Sequence, residues 1–247
     1  MVPTCLLSAA LACGGGQTAP ATPASTGAAA VDASTAGTIT ATVLFAGARP
    51  AVPMVRLDGD AKCVAENGAA ERPAESIVLG EGPALQNVFV YVQDGLGNLT
   101  FPIPTEPVVL DQQKCRYMPR VFGIRVGQPL EVRNSDPLLH NVRSAGKINQ
   151  PFNMGEPVKG VSFTRTFTTS EVMVPFRCDV HAWMQAWAGV LTHPFFGVTG
   201  TDGRVSLAGL PPGTYTVEAW HEELGTREST VTIAAKETKD VQFTFVR

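Results

Sequence analysis

The chain has 247 residues, 44% of them hydrophobic and 17% charged, with 19 Lys and Arg set against 22 Asp and Glu for a net charge of −3. That is enough apolar material for a sizeable core in one or two domains, and without a basic excess nothing marks a nucleic-acid-binding face. With 24 glycines and 19 prolines among short Val-, Phe- and Thr-rich runs, the composition favours many short strands joined by turns.

The first residues, "MVPTCLLSAALACGGG", form a short apolar run closing on small residues. It is too short to cross a bilayer and reads as an export signal. Cys13 directly follows Leu11-Ala12 and precedes a Gly/Ala/Thr/Pro tether, which resembles a bacterial lipoprotein processing site with Cys13 as the lipidated residue. Two features depart from that pattern: no Lys or Arg precedes the run, and Ala10 stands where Leu is usual. A plain signal peptide cleaved nearby is the alternative. Residues 1–13 are read as the leader. Residues 14–36 carry too few large apolar groups to fold and are read as a flexible linker. Export implies a periplasmic or cell-surface protein that touches the membrane through a lipid anchor at most.

Along the chain, "GTITATVLFAG" alternates as a strand does and ends in a glycine turn; "LQNVFVYVQDGLG" repeats the pattern. Between them "DGDAKCVAEN" reads as a turn carrying Cys63. Then follow "EPVVLDQ", a second turn-like stretch with Cys115, and the runs "VFGIRVGQPLEVRNSD", "VSFTRTFTTSEVMVPFRCD" and "AWAGVLTHPFFGVTG". The chain closes on "DGRVSLAGLPPGTYTVEAWHEELGTRESTVTI" and "DVQFTFVR", where Asp-Gly and Pro-Pro-Gly punctuate hairpins. No long stretch has helical period and there is no tandem repeat. Strands at this spacing predict an all-β protein built from sandwiches, divided as N-terminal strands (37–104), a central domain (105–192) and a C-terminal portion (193–247).

The chemistry concentrates in "PFRCDVHAWMQAWAGVL". Cys178, His181 and Met184 lie on a short loop between an incoming and an outgoing strand, so their side chains can meet at one point. A thiolate, two imidazoles and a weak thioether are what a redox-cycling copper favours. The second imidazole is available as His140 in "LEVRNSDPLLHNVRS". Structural zinc prefers four strong ligands, iron–sulfur clusters need more thiolates, and no His-x-His pair supports a multicopper centre. Cys63 and Cys115, in turn-like settings, are expected to pair as a disulfide, with Cys178 kept as a thiolate; two buried free thiols are the alternative. His193 and His221 read as structural.

A strand ending N-x-D-x-x-x-H-N, followed at a distance by C-x-x-H-x-x-M, resembles the cupredoxins, most closely their amicyanin and plastocyanin branch, over residues 105–192. The resemblance implies a Greek-key β-sandwich with one type 1 copper, His140 and His181 as equatorial imidazoles, Cys178 as the thiolate and Met184 as the axial ligand. It also implies that Asn141 sits where a backbone N–H reaches the cysteine sulfur. Pro137, Leu138, Leu139, Ala182 and Trp183 would form an apolar collar for weak docking of a redox protein, Trp183 having no other assigned part. The stretch "DGRVSLAGLPPGTY" and the upstream strands "GTITATVLFAG" and "QNVFVYVQ" are similar to the carboxypeptidase regulatory-like (transthyretin-like) β-sandwich. That implies a second small sandwich made from both ends of the chain, with the copper module inserted in it or packed on it; an elongated cupredoxin with a small C-terminal domain is the competing layout. The expected function is electron transfer by an exported copper protein rather than catalysis, since four ligands leave no open position for a substrate. A copper-binding or delivery protein, or a surface module with a structural metal loop, are the alternatives.

Overall fold

The computed structural model describes residues 1–2 and 31–247; Cys13 and the leader cleavage reading lie outside the described residues. In chain order the elements are β1 (Gly37–Ala46), β2 (Met54–Arg56), α1 (Ala61–Asn67), β3 (Glu71–Pro73), β4 (Phe89–Asp94), β5 (Val108–Gln112), β6 (Tyr117–Met118), β7 (Val121–Arg125) and β8 (Pro129–Asn134). They continue with β9 (His140–Ser144), β10 (Phe152–Glu156), β11 (Ser162–Thr166), β12 (Glu171–Arg177), β13 (Gln185–Leu191), β14 (Phe196–Val198), β15 (Arg204–Leu210), β16 (Gly213–His221), β17 (Gly225–Ile233) and β18 (Thr238–Val246). Among the described residues the protein is all-β apart from one short helix.

Two sheets, ordered β10-β9-β12-β13-β7 and β11-β8-β5-β6, face each other as a first sandwich. Strict alternation along β8 turns Leu130, Val132 and Asn134 inward, as a strand with one buried face requires. Leu130 and Val132 meet Leu110, Ile124, Val142, Val174 and Phe176 in a shared core. Sequential strands are mostly not neighbours, and the parallel pairs β5–β8 and β7–β13 require the chain to cross between sheets, as in Greek-key sandwiches.

A second pair of sheets, β15-β1-β18 and β14-β4-β16-β17, encloses a separate core around Ile39, Val43, Val90, Leu207, Val217 and Phe245. Strand β1 alternates buried and half-buried along all ten residues, pairing parallel with β18 and antiparallel with β15. The strands of this sandwich come from both ends of the sequence. The chain leaves it after Asp94, builds β5 to β13, and re-enters at Phe196.

The stretch 37–104 does not act as one unit. Strands β1 and β4 belong to the second sandwich, whereas Leu57 and Cys63 are buried in the core of the first, beside Cys178 and Met184. The turn expected around Cys63 is the helix α1. Asp60 caps it by accepting the N–H of Lys62, and Gly68 ends it at φ 66°, the left-handed conformation glycine adopts without a Cβ penalty. Seven residues are too few for a helical period to register in sequence.

The two sandwiches pack through Phe89, Tyr91, Val121, Met173 and Leu191. Phe89 lies against Gly189, and Phe196 against Gly123, so closely that a Cβ at either glycine would come within 2.2 Å of a ring carbon. Arg120 closes one edge with a two-pronged ion pair to Glu222 at 2.6 and 2.8 Å, which also accepts the indole N–H of Trp187 at 3.2 Å.

Candidate metal centre

Strand β12 delivers Cys178 at its end and β13 begins after Met184, so the seven residues between make one tight loop. The backbone holds it: the N–H of Met184 donates to the His181 carbonyl at 2.9 Å, and that of Cys178 to the Met184 carbonyl at 3.3 Å. The N–H of His181 points at the Cys178 sulfur, 3.4 Å away. His140 opens β9 after a turn organised by Asn134, whose amide donates to the carbonyls of Leu138 at 2.8 Å and Glu156 at 2.9 Å and whose Oδ1 accepts the N–H of Asp136.

The start of β9 and the β12–β13 loop bring three donors to one point. One ring nitrogen each from His140 and His181 and the Cys178 sulfur lie within 4.8 Å of one another. The two Nδ1 atoms are 3.0 Å apart, and His181 Nδ1 is 3.9 Å from the sulfur. All three residues are buried, and Met184 at the loop's end is 1% exposed in the same core.

Both outer ring nitrogens are held by carboxylates. His140 Nε2 meets Asp136 at 2.9 Å and His181 Nε2 meets Asp60 at 3.2 Å. Asp136 is fixed in turn by the N–H groups of Lys114 and Cys115 at 2.6 and 2.7 Å; Asp60 is the N-cap of α1. A carboxylate on Nε2 fixes the tautomer and directs the Nδ1 lone pair inward. Cys63 and Cys115 are joined as a disulfide. Their sulfurs lie within 4.8 Å of the Asp60–His181 and Asp136–His140 pairs respectively, but a disulfide sulfur is not a thiolate donor, which leaves Cys178 as the free thiol among the described residues.

The electrostatics prepare the triad as an ion pair. Burial alone would raise the Cys178 thiol, but hydrogen bonds from His140, His181 and the backbone of Asn141 and His181 outweigh it and bring it down to about 6. Burial likewise opposes charge on His140, yet its bonds to Asp136 and Cys178 lift it to about 8. Burial also works against ionised Asp60 and Asp136, and their hydrogen bonds hold both below the usual carboxylate range.

Asn141 contributes more than its backbone. Its side-chain oxygen lies 3.4 Å from the Cys178 sulfur and accepts the Asp179 N–H at 2.7 Å, its amide donates to Asn153, and its carbonyl accepts the buried Tyr117 hydroxyl. Trp183 straps the site: its indole N–H donates to the Cys115 carbonyl at 3.0 Å while its ring stands 5.1 Å from that of His181.

The expected apolar collar is smaller than the sequence suggests. Pro137, Leu139 and Ala182 are exposed and Trp183 is half-buried. Leu138 is not part of it: with its carbonyl tied to Asn134, its side chain turns into the core and is 2% exposed. Sequence reasoning missed Asp60 and Asp136. Asp136 left a trace, four residues before His140, whereas Asp60 lies 121 residues from His181 and only the Cys63–Cys115 link hints that its segment comes near. His193 and His221 lie away from the site. Each is buried and accepts backbone N–H groups through Nδ1.

No family model matches the chain, and no curated protein does. Among solved structures, a methionine-to-alanine variant of amicyanin in the Cu(I) form is 20% identical, covering 36% of this chain and 85% of that one with a TM-score of 0.31. The purple cupredoxin of Nitrosopumilus maritimus is 20% identical over 34% of this chain and 97% of its own, at a TM-score of 0.29. The copper-containing nitrite reductase of Thermus scotoductus SA-01 is 20% identical over 40% of this chain and 24% of its own, at 0.30. These are likenesses over a third or so of the chain. What the cluster can do follows from its own atoms.

The donor set fits copper. A thiolate and two inward imidazole nitrogens converge in a dry site with a methionine at the loop's end, the soft and borderline donors that copper favours. Zinc would lack a fourth strong donor.

Proposed function

We propose that this is an exported electron-transfer protein that holds one type 1 copper ion on His140, Cys178, His181 and Met184. The observation that carries the reading is the convergence of two Nδ1 atoms and a thiol in a buried cluster whose outer nitrogens are both pinned by carboxylates. Copper, when bound, supplies one-electron redox chemistry. The chain's own residues do the rest: Cys178 is held as a thiolate by its hydrogen bonds, the carboxylates orient the rings, and burial keeps water away. A rigid, dry ligand set of this kind needs little rearrangement between oxidation states, which suits transfer better than delivery of the ion. It leaves no position for a substrate, so the protein is read as a carrier and not an enzyme. Pro137, Leu139, Ala182 and Trp183 offer a small apolar rim, adequate for the weak docking of a redox protein.

The second sandwich is read as a regulatory-like scaffold, supported by the Pro-Pro-Gly-Thr-Tyr hairpin in which the Tyr215 hydroxyl donates back to the Pro211 carbonyl at 2.6 Å. The disulfide beside the site supports an oxidising compartment, periplasmic or at the cell surface, with Cys13 as the lipid anchor. The test is the absorption spectrum of the Cu(II)-loaded protein, where a thiolate ligand in such a site gives an intense sulfur-to-copper charge-transfer band in the visible. Loss of the band in Cys178→Ser is expected. A colourless wild type, or a band that survives the substitution, overturns the reading.

A further inference from the structure

On walls that hold none of the metal's candidate ligands, a cavity of about 700 Å3 opens beside Lys114 and Arg116, the neighbours of Cys115, within the range of small-molecule sites. Its wall carries five basic side chains, Arg49, Arg72, Lys114, Arg116 and Arg120, and a single acid, Glu75. This in a chain of net charge −3 is a concentration of positive charge. Arg120 is neutralised by Glu222. Glu75 is shared, meeting Arg72 Nη1 at 3.0 Å and Arg116 Nη1 at 2.6 Å. One carboxylate therefore serves two guanidiniums and takes only the Nη1 atom of each.

A guanidinium can take an oxyanion with two parallel bonds. Burial, and then the charges of Arg116 and Arg120, hold Arg72 below the usual guanidinium range despite Glu75. Val52, Pro73, Ile77, Met118 and Pro119 give the same space an apolar side, beside the amides of Asn67, Gln86 and Asn87.

We propose that this cleft binds a small organic anion, an apolar body bearing one carboxylate or phosphate-type head, with the head beside the Arg72 and Arg116 guanidiniums, which share a single carboxylate, and the body against the apolar wall. The site is independent of the copper reading, since none of its walls is a candidate ligand of the metal.

Calorimetric titration of the metal-free, disulfide-intact full chain tests it, with naphthoate as the probe and inorganic phosphate as the head group alone. Naphthoate is expected to bind with one-to-one saturation. Phosphate should compete for the same site but bind at least about tenfold more weakly, because it gains nothing from the apolar wall. Arg72→Gln with Arg116→Gln should weaken naphthoate at least about tenfold, and Glu75→Gln, which removes the competing carboxylate, should tighten it. Should the double arginine variant fold poorly, Ala74→Trp, which fills the cavity from its wall, should abolish binding on its own. The proposal is overturned if naphthoate does not saturate, if Ala74→Trp leaves its affinity unchanged, or if phosphate binds as tightly as naphthoate. A glutamate-rich hexapeptide that binds more tightly than naphthoate also overturns it, in favour of a protein partner.

Discussion

At the scale of single residues, the metal-free triad is a thiolate facing an imidazolium. With Cys178 at about 6 and His140 at about 8, near pH 7 the sulfur has lost its proton while His140 still carries one. A metal needs the thiolate and the neutral imidazole, so copper uptake at pH 7 must expel a proton from His140. We expect proton release per copper to be greatest at pH 5, where the thiol and His140 are both protonated, smaller at pH 7 and least at pH 9. Calorimetry in buffers of differing ionisation enthalpy measures this, and a release independent of pH between 5 and 9 would refute it. The two carboxylates should not count equally. Asp136 is fully enclosed with three partners, whereas the Asp60 side chain is 30% exposed. Removing a partner of a ligand histidine costs about 10- to 100-fold in metal affinity. Asp60→Asn should fall at the low end of that range and Asp136→Asn at the high end, as read by competition with a chelator; the reverse order would show that burial does not set their weight.

At the scale of elements, α1 is what brings Asp60 to His181, and the disulfide is what holds α1. The Cys63–Cys115 bridge closes a separation of 52 residues, worth about 4 kcal/mol in the chain-entropy account. Replacing both cysteines with alanine should lower stability in that range and free Asp60 from His181. Copper affinity should then fall in the same direction as for Asp60→Asn, and the two changes combined should weaken binding no further than the cysteine change alone. Additive losses would mean that the helix and the carboxylate act separately. That His140, Cys178 and His181 would come together was legible because a loop and a strand end carry them locally. The helix was not, because its seven residues are held by a cap, the disulfide and contacts to distant segments such as the Asn67 bond to the Lys114 carbonyl. Leu138 misled for a similar reason: an apolar residue in a polar turn reads as exposed, and only the Asn134 side chain closing on its carbonyl turns it inward. Trp183, left without a part by the sequence alone, joins the ligand loop to the disulfide through its bond to the Cys115 carbonyl.

At the scale of the whole molecule, the strand pattern at the two ends of the chain announced a sandwich, but the closeness of its packing on the first depends on Gly123 and Gly189, whose need shows only when Phe196 and Phe89 lie on them. The second sandwich also carries a latent sensitivity to acid. His221 is 1% exposed, its Nδ1 accepts the N–H groups of Glu223 and Leu224 at 3.2 and 3.3 Å, and its Nε2 is buried without a partner. Protonating Nδ1 would forfeit both accepted bonds and bury a charge. Burial holds His221 at about 4, and burial followed by the charge of Arg125 does the same to His193. Both folded values lie below the ordinary 6.5, so between pH 6.5 and 4 the unfolded chain binds more protons than the folded one. The stabilisation is complete above pH 6.5 and drains away as pH falls towards 4, by about 3 kcal/mol for each histidine. Two such losses are a large share of a domain stability of roughly 5–15 kcal/mol. Urea midpoints followed from pH 7 to pH 4 should therefore drop steeply in the wild type. They should drop less in His221→Asn, whose Oδ1 takes the place of Nδ1 as acceptor and does not titrate. Parallel curves for the two proteins would show that His221 is protonated in the folded state without cost, and that acid acts on this fold through other groups.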